Sequence, residues 1–418
     1  MLIVQKYGGT SMGSSERIQN VANRVSLSLY ASYKSHKQYV KDKDNVNRNN
    51  KLVVVVSAMS GVTDGILEHA GFFTSTPNER DLDMALSSGE QMSAALLSIA
   101  LNAKGLKSIA LNGRQAGIFT DSNHTKARIQ YIDTTNIYKL LDDGYIVVVT
   151  GFQGLSNSGE ITTLGRGGSD LSAVALAGAL KANVCEIYSD VDGVYTTDPR
   201  IESKAKKIDR ISYDEMLELA SMGAKVLLTR SVELAKKLNV PIYARSSFSD
   251  DSGTLITTEE NIMEKPIVSG IALDKNQARV SLISIQDRPG IAAELFGKLS
   301  KANINVDMIV QTIGRDSKTN LDFTVPKNEL EKAKNTLNEF DSYADLIDYD
   351  NEVAIVSIVG VGMKSHSGVA AKAFQVLAKD NINIRMISTS EIKISMLIDL
   401  KYAELSVRVL HAAYKLDQ

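Results

Sequence analysis

The first two-thirds of the chain alternates apolar runs with stretches of helical period. Residues 2–4, 52–56, 108–111, 146–149 and 186–188 read as strands. Several are unbroken β-branched runs, the kind demanded by a sheet covered on both faces. Between them, residues 16–30, 83–102, 135–142 and 169–180 carry apolar positions at helical spacing. This alternation predicts an α/β fold, a mostly parallel sheet sandwiched by helices. Two connections depart from it. Residues 34–51 (KSHKQYVKDKDNVNRNNK) are charged, Asn-rich and nearly without apolar period, and read as a solvated surface excursion. Residues 249–266 are acidic and turn-rich, and read as the exit from the first domain.

The last third contains an internal repeat. Residues 290–309 (GIAAELFGKLSKANINVDMI) align with 368–387 (GVAAKAFQVLAKDNINIRMI), identical at 11 of 20 positions at an offset of 368 − 290 = 78. An apolar run precedes each copy (280–285 and 353–359), and a further strand pattern follows each (321–325 and 392–400). The reading is a duplicated strand–helix–strand unit of about 70–80 residues, the size of a small regulatory module.

Composition narrows the function. With 418 residues, two to four domains are expected, and 44% hydrophobic residues is an ordinary globular share. Net charge is −2, from 47 basic and 49 acidic residues, so neither a nucleic-acid footprint nor a polybasic membrane patch is present. Cys185 is the sole cysteine, which rules out an intramolecular disulfide; five scattered histidines (36, 69, 124, 366, 411) make no zinc-spaced cluster. No signal-peptide core and no membrane-length apolar run occurs, so the cytoplasm is the expected compartment.

The candidate chemistry lies at strand ends. Residues 6–11 (KYGGTS) put Lys6 near the end of a buried strand and follow it with Gly8 and Gly9, whose amides can approach an anion closely. A helix expected from about Ser14 aims its positive end at the same place. No G-x-x-x-x-G-K-[ST] loop occurs. Residues 162–172 (TTLGRGGSDLS) set Arg166 between glycines, an anion grip in type, with Ser169 and Asp170 where helix caps belong. Residues 188–200 (YSDVDGVYTTDPR) release carboxylates and hydroxyls suited to Mg-nucleotide, without calcium-loop spacing. Lys225 is a second phosphate-lysine candidate. Residues 57–64 (SAMSGVTD) and 86–91 (LSSGEQ) add polar groups at the ligand-binding crevice of such sheets. Glu90 reads there as lying in a first helical turn, where it either compensates the dipole or meets an amino group.

These motifs, in this order and with the paired repeats, resemble aspartokinases of the amino-acid-kinase superfamily, a resemblance that covers nearly the whole chain. It implies the amino-acid-kinase fold followed by two βαββαβ ACT domains. The expected divisions are a kinase domain over 1–250, a linker over 251–266 and ACT domains over 267–345 and 346–418, with the second ACT domain inserted within the first in many members. The resemblance implies ATP and Mg²⁺ as cofactors and L-aspartate as substrate, with Lys6, Arg166 and Asp170 as the catalytic set. The nucleotide would lie among Lys6, Tyr7, Gly8, Gly9, Ser189, Asp190, Tyr195, Asp198, Arg200 and Lys225. Aspartate would be held by Thr63, Glu90, Arg166, Gly168 and Ser169, and no protein side chain is assigned to the metal. Asp287, Asn305, Asp307 and Gln311 in the first repeat, and Asn383, Thr389 and Ser390 in the second, would receive an amino-acid effector, lysine or threonine. A homo-oligomer built through the ACT domains is implied as well, with no nucleic-acid or membrane partner. No dehydrogenase region follows residue 418, which points to a monofunctional member. Two competing readings are a sister kinase acting on another acid or on UMP, and an inactive sensor that keeps the fold.

Overall fold

The computed structural model describes residues 1–32, 40–41, 50–221, 226–261, 266–313, 317–340, 343–366 and 368–418. The surface excursion expected over 34–51 and the candidate Lys225 therefore lie wholly or mostly outside the described residues. The chain divides into two units. The first comprises Met1–Val194, Lys207–Ala220 and Lys225–Met263; the second comprises Tyr195–Lys206, Ser221–Ala224 and Glu264–Gln418.

In the first unit the elements run β1 (Leu2–Tyr7), α1 (Ser15–Ser28), β2 (Ala31–Ser32), β3 (Val40–Lys41), β4 (Lys51–Val56), α2 (Val62–Phe73), α3 (Glu79–Ala103), β5 (Ser108–Leu111), β6 (Ile118–Thr120), β7 (Ile129–Ile132), α4 (Thr135–Asp142) and β8 (Ile146–Thr150). They continue with β9 (Gln153–Ser156), β10 (Ile161–Thr163), α5 (Gly168–Ala179), β11 (Val184–Ser189), β12 (Arg210–Ser212), α6 (Tyr213–Ser221), α7 (Thr229–Leu238), β13 (Ile242–Ser246) and β14 (Thr254–Thr257). Eight strands form one sheet in the order β12-β14-β13-β11-β1-β4-β8-β5. All pairings are parallel except β13 with β14. The apolar runs explain its interior: Leu52–Val56 of β4 are at most 1% exposed, as a strand packed by helices on both faces must be. Helix α1 contributes Ile18, Val21, Ala22 and Val25, a 3.6-residue stripe. A second sheet, β10-β9-β6-β7, carries the approach to the glycine loop at 165–168.

Strand β1 lies at the centre, with β4 on one side and β11 on the other. From β4 the chain passes to the edge strand β5, comes back to lay β8 between β4 and β5, and then places β11 against the free side of β1. The carboxyl ends of β1, β4 and β11 thus flank a topological switch point, where open α/β sheets bind ligands. One expectation is corrected here. β14, inside the stretch read as a linker, pairs with β12 and β13 and is a strand of the first unit's sheet.

The second unit is built on β15 (Gly270–Gln286), α8 (Ile291–Lys301), β16 (Ile309–Ile313), β17 (Lys318–Pro326), α9 (Leu330–Leu337), β18 (Leu346–Val359), α10 (Val369–Lys379), β19 (Ile384–Thr389), β20 (Lys393–Asp399) and α11 (Ala403–Ala413). Six strands form an antiparallel sheet, β16-β17-β15-β18-β20-β19. Its two long strands serve two cores. Val280 and Leu282 of β15 pack with Leu295, Phe323 and Ala333, whereas Ile271 of the same strand packs with Val356, Leu377 and Val407. The register breaks between Asp274 and Gln277, where one core hands over to the other. The module of the first repeat is therefore inserted after the opening strand of the second, the reverse of the expected nesting. The repeat's identities also have a backbone cause. Gly290 (φ +95°) and Gly368 (φ +91°) cap α8 and α10 in the left-handed region, and Asn303 (φ +51°) and Asn381 (φ +54°) end the same helices in it.

Candidate active site

The carboxyl end of β1 delivers Lys6, 9% exposed, and turns at once into the glycines. Gly8 N–H donates to the Tyr188 carbonyl (3.1 Å), and the Gly9 carbonyl accepts from Ser60 N–H (3.2 Å). The backbone N–H groups of Gly9, Thr10 and Ser11 bond no described residue and precede α1, whose N-cap Ser14 accepts from Arg17 N–H. Unengaged amides at a helix start make an anion site. Lys6 Nζ ion-pairs with Asp170 Oδ1 at 2.6 Å. Tyr7 is a correction: its side chain is fully buried and stacks on Tyr188 with centroids 4.8 Å apart, so it has no surface to offer a nucleotide.

At the end of β11, Ser189 Oγ accepts from Val191 N–H (3.3 Å), and the Ser189 carbonyl accepts from Ser247 N–H (2.9 Å). Ser247 Oγ also meets Ser11 Oγ at 2.7 Å, tying the β11 end to the glycine turn. Nothing in the sequence pattern singles out Ser247, which is 236 residues from Ser11. Asp190 is exposed. Tyr195, Asp198 and Arg200 are not brought together with these groups within one unit. Their segment, Tyr195–Lys206, belongs to the second unit, where the Thr196 carbonyl accepts from Ile271 N–H (2.7 Å) and the Ile201 carbonyl from Arg408 Nε (3.0 Å). Arg200 grips Asp198 through Nε and Nη2 (2.7–3.2 Å) and holds that carboxyl below the usual range.

Arg166 is exposed and makes no bond to a described residue. Gly165 (φ +80°) and Gly167 (φ +73°) flank it in the left-handed region, which explains the glycines on both sides. Gly167, not Ser169, is the N-cap of α5; Ser169 and Asp170 occupy its first turn, where the Asp170 carboxylate suits the helix dipole. Ser169 lies 7% exposed and Gly168 is buried at the helix start.

Glu90 also departs from expectation. Helix α3 begins at Glu79 behind an Asn78 N-cap, so Glu90 sits in mid-helix and has no first-turn dipole to compensate. It is 4% exposed; Oε1 accepts from Ala58 N–H (3.0 Å), and Oε2, equally buried, has no partner among the described residues. Burial pushes its carboxyl up to about 7. An orphaned buried carboxylate oxygen beside the end of β4 calls for a cationic donor. Thr63, in the first turn of α2, is half-buried. Among the described residues no three His, Cys, Asp or Glu side chains converge as a metal cage, and no helix is long and apolar enough to cross a membrane.

The two repeat rims differ chemically. In the first, Asp287 is exposed, Asp307 Oδ2 accepts from Gln277 Nε2 (2.7 Å), and Asn305 and Gln311 are exposed. In the second, Arg385 replaces Asp307 and ion-pairs with Asp399 (2.6 Å) and Asp350 (2.8 Å), beside exposed Asn383, Thr389 and Ser390.

Residues 1–246 match the amino acid kinase family, and residues 280–340 and 356–414 match the ACT domain. The chain is 63% identical over 422 residues to an aspartokinase of Helicobacter pylori, covering 100% of both chains. Its fold is similar to that of E. coli aspartokinase III in complex with aspartate and ADP (R-state), at TM-score 0.78 and 26% identity over 99% of each chain. The complex of that enzyme with lysine and aspartate (T-state) is similar at TM-score 0.76 and 26% identity, covering 98% of this chain and 99% of the other.

Proposed function

The chain belongs to the aspartokinases of the amino acid kinase family, and from that premise we propose that it transfers the γ-phosphoryl group of ATP to the side-chain carboxylate of L-aspartate, giving ADP and 4-phospho-L-aspartate. The observation that carries this reading is Glu90 Oε2, a buried carboxylate oxygen without a protein partner, suited to the substrate ammonium. Arg166 takes a substrate carboxylate, and Thr63, Gly168 and Ser169 complete the contact. The nucleophile, with a reference pKa near 4, is already ionised at neutral pH, so no general base is needed. The work left to the protein is positioning and charge neutralisation. Lys6 supplies a positive charge at the phosphates, and Asp170 orients it. The free amides of Gly9, Thr10 and Ser11, in the turn that Gly8 opens, hold the nucleotide together with Ser189 and Asp190; the resemblance to aspartokinases adds Tyr195, Asp198, Arg200 and Lys225 to the nucleotide-binding set. A Mg²⁺ carried on the nucleotide would add charge neutralisation at the phosphates.

The ACT domains bind an amino-acid effector, lysine or threonine. The uncommitted Asp287 carboxylate and the acidic Asp307 make the first rim the primary site for an ammonium. The outer strands β16 and β19 leave Ile309 and Ile387 exposed, which supports self-association through these domains. The product feeds lysine, threonine, methionine and diaminopimelate synthesis in the cytoplasm. The test is Mg·ATP-dependent phosphorylation of L-aspartate trapped by hydroxylamine, with and without lysine and threonine. Hydroxamate formation from aspartate is the expected result; hydroxamate only from another acid, or none at all, overturns the reading.

A further inference from the structure

Two carboxylates of α3 lie on one face. Asp83 and Glu90 are seven residues apart, about two helical turns, and both are buried. Glu90 reaches Ala58 at the end of β4. Asp83, fully buried, instead accepts from the segments that build the Arg166 loop. Its partners are Thr163 Oγ1, which closes β10 three residues before Arg166, Thr125 N–H (3.0 Å to each oxygen) and His124 Nδ1 (2.8 Å). The segment at 124–127 buttresses the loop in turn. Ala127 N–H donates to the Thr163 carbonyl (2.9 Å), and a Cβ on Gly165 would stand 3.2 Å from the Thr125 carbonyl oxygen. Arg230 of α7 closes the arrangement, donating from Nη1 to the Leu164 carbonyl and from Nη2 to the Ala127 carbonyl, both at 3.0 Å. The base of the loop is therefore fastened at consecutive residues, while the Arg166 guanidinium is left free.

We propose that Asp83 is a positioning residue for substrate binding: it fastens the base of the Arg166 loop to the helix that carries Glu90, and so sets the spacing between the carboxylate grip and the ammonium grip. This rests on the reading of Glu90 and Arg166 as the residues that hold aspartate. A grip held by buried partners binds without ordering itself first, and a displacement of about 1 Å costs up to a hundredfold. Asp83 touches no substrate; its effect passes through the loop.

The test uses the full chain. Asp83→Asn keeps the volume but turns an NH₂ donor toward groups that are themselves donors. The expected result is an aspartate KM raised about tenfold or more, with the MgATP KM within about twofold of wild type and kcat changed less than the aspartate KM. Thr163→Val should raise the aspartate KM in the same direction, and Thr163→Ser, which keeps the hydroxyl, should restore it. An Asp83→Asn enzyme with an unchanged aspartate KM, or with both KM values raised alike, overturns the proposal. If that variant does not fold, the Thr163 pair decides: equal KM values for the Val and Ser forms overturn it. Absence of aspartate turnover in the wild-type enzyme would instead sink the underlying reading of the site.

Discussion

Lys6 Nζ lies 2.6 Å from Asp170 Oδ1, and the two side chains are 11% and 13% exposed. One comes from the end of the central strand and the other from the first turn of α5, so the pair joins the glycine turn to the Arg166 loop. In the proposed reaction, a lysine held this way would meet the transferring phosphates without first losing side-chain freedom. Lys6→Ala should lower kcat by at least about a hundredfold, the usual effect of removing one electrostatic contact to the transition state. The thermal midpoint should stay within about 5 °C of wild type. Near-normal phosphoryl transfer by a folded Lys6→Ala enzyme would remove the lysine from its assigned role.

Glu90 gives a pH prediction. Its ligand-free carboxyl is raised by burial from 4.5 to about 7, while an ammonium partner requires it ionised. On the proposed reading of the site, aspartate must expel a proton from Glu90 to bind below pH 7. Aspartate KM should therefore rise as pH falls, on the order of tenfold per unit. Glu90→Gln should raise KM at pH 8 roughly 10- to 100-fold and flatten this dependence. For stability the sign runs the other way. Between pH 4.5 and about 7 the folded state holds a proton that the unfolded state has lost, so ligand-free stability falls as pH rises through that window. Urea titrations of wild type and Glu90→Gln across it should diverge; parallel curves would mean that Glu90 does not titrate there.

The structure also shows what the sequence made readable. Asn303 and Asn381 are legible because a repeat preserves the left-handed positions that end its helices. The central strands are legible because two-sided burial leaves only β-branched residues. The true start of α3 is harder to see. Its first turn (Glu79, Arg80, Asp81) is polar and offers no apolar period, whereas Leu86-Ser-Ser-Gly reads as a helix opening and so puts Glu90 in a first turn. β14 hides because four apolar or hydroxyl residues stand between acidic turns. Asp83 is invisible from sequence for a different reason: its partners lie 41, 42 and 80 residues away, and only the fold brings them to one carboxylate.

His411 of α11 predicts a pH dependence in the second unit. It is 1% exposed, its Nε2 meets Thr196 Oγ1 at 2.9 Å, and burial lowers its pKa against the opposing pull of Glu202 and Asp417. Thr196 belongs to the segment that carries Tyr195, Asp198 and Arg200. The unfolded imidazole takes up a proton near 6.5 and the folded one resists it until lower pH. Stability from this group is thus complete above pH 6.5 and is lost as pH falls toward the lowered folded value. Thermal unfolding between pH 7.5 and 5.5 should show a steeper fall for wild type than for His411→Gln; equal slopes would assign the acid sensitivity to other groups.

Asp287 offers the sharpest test of regulation. Its backbone N–H is engaged by the Ser317 carbonyl at 2.7 Å, while its exposed carboxylate makes no bond to a described residue. It follows β15, in the turn before the Gly290 cap of α8. A carboxylate fixed by its backbone and otherwise uncommitted can take an ammonium without first breaking an ion pair. Arg385 of the second rim is committed to Asp350 and Asp399, so the two rims should not contribute equally. Asp287→Ala should raise the inhibitory concentration of lysine or threonine at least about tenfold, the worth of one charge-assisted hydrogen bond. Its kcat and aspartate KM without effector should match wild type. Thr389→Val, in the second rim, should move the inhibitory concentration less. Inhibition titrations on the three proteins check both statements. Unchanged sensitivity in Asp287→Ala would take that residue out of the effector site, and a larger effect at Thr389 would move the primary site to the second rim.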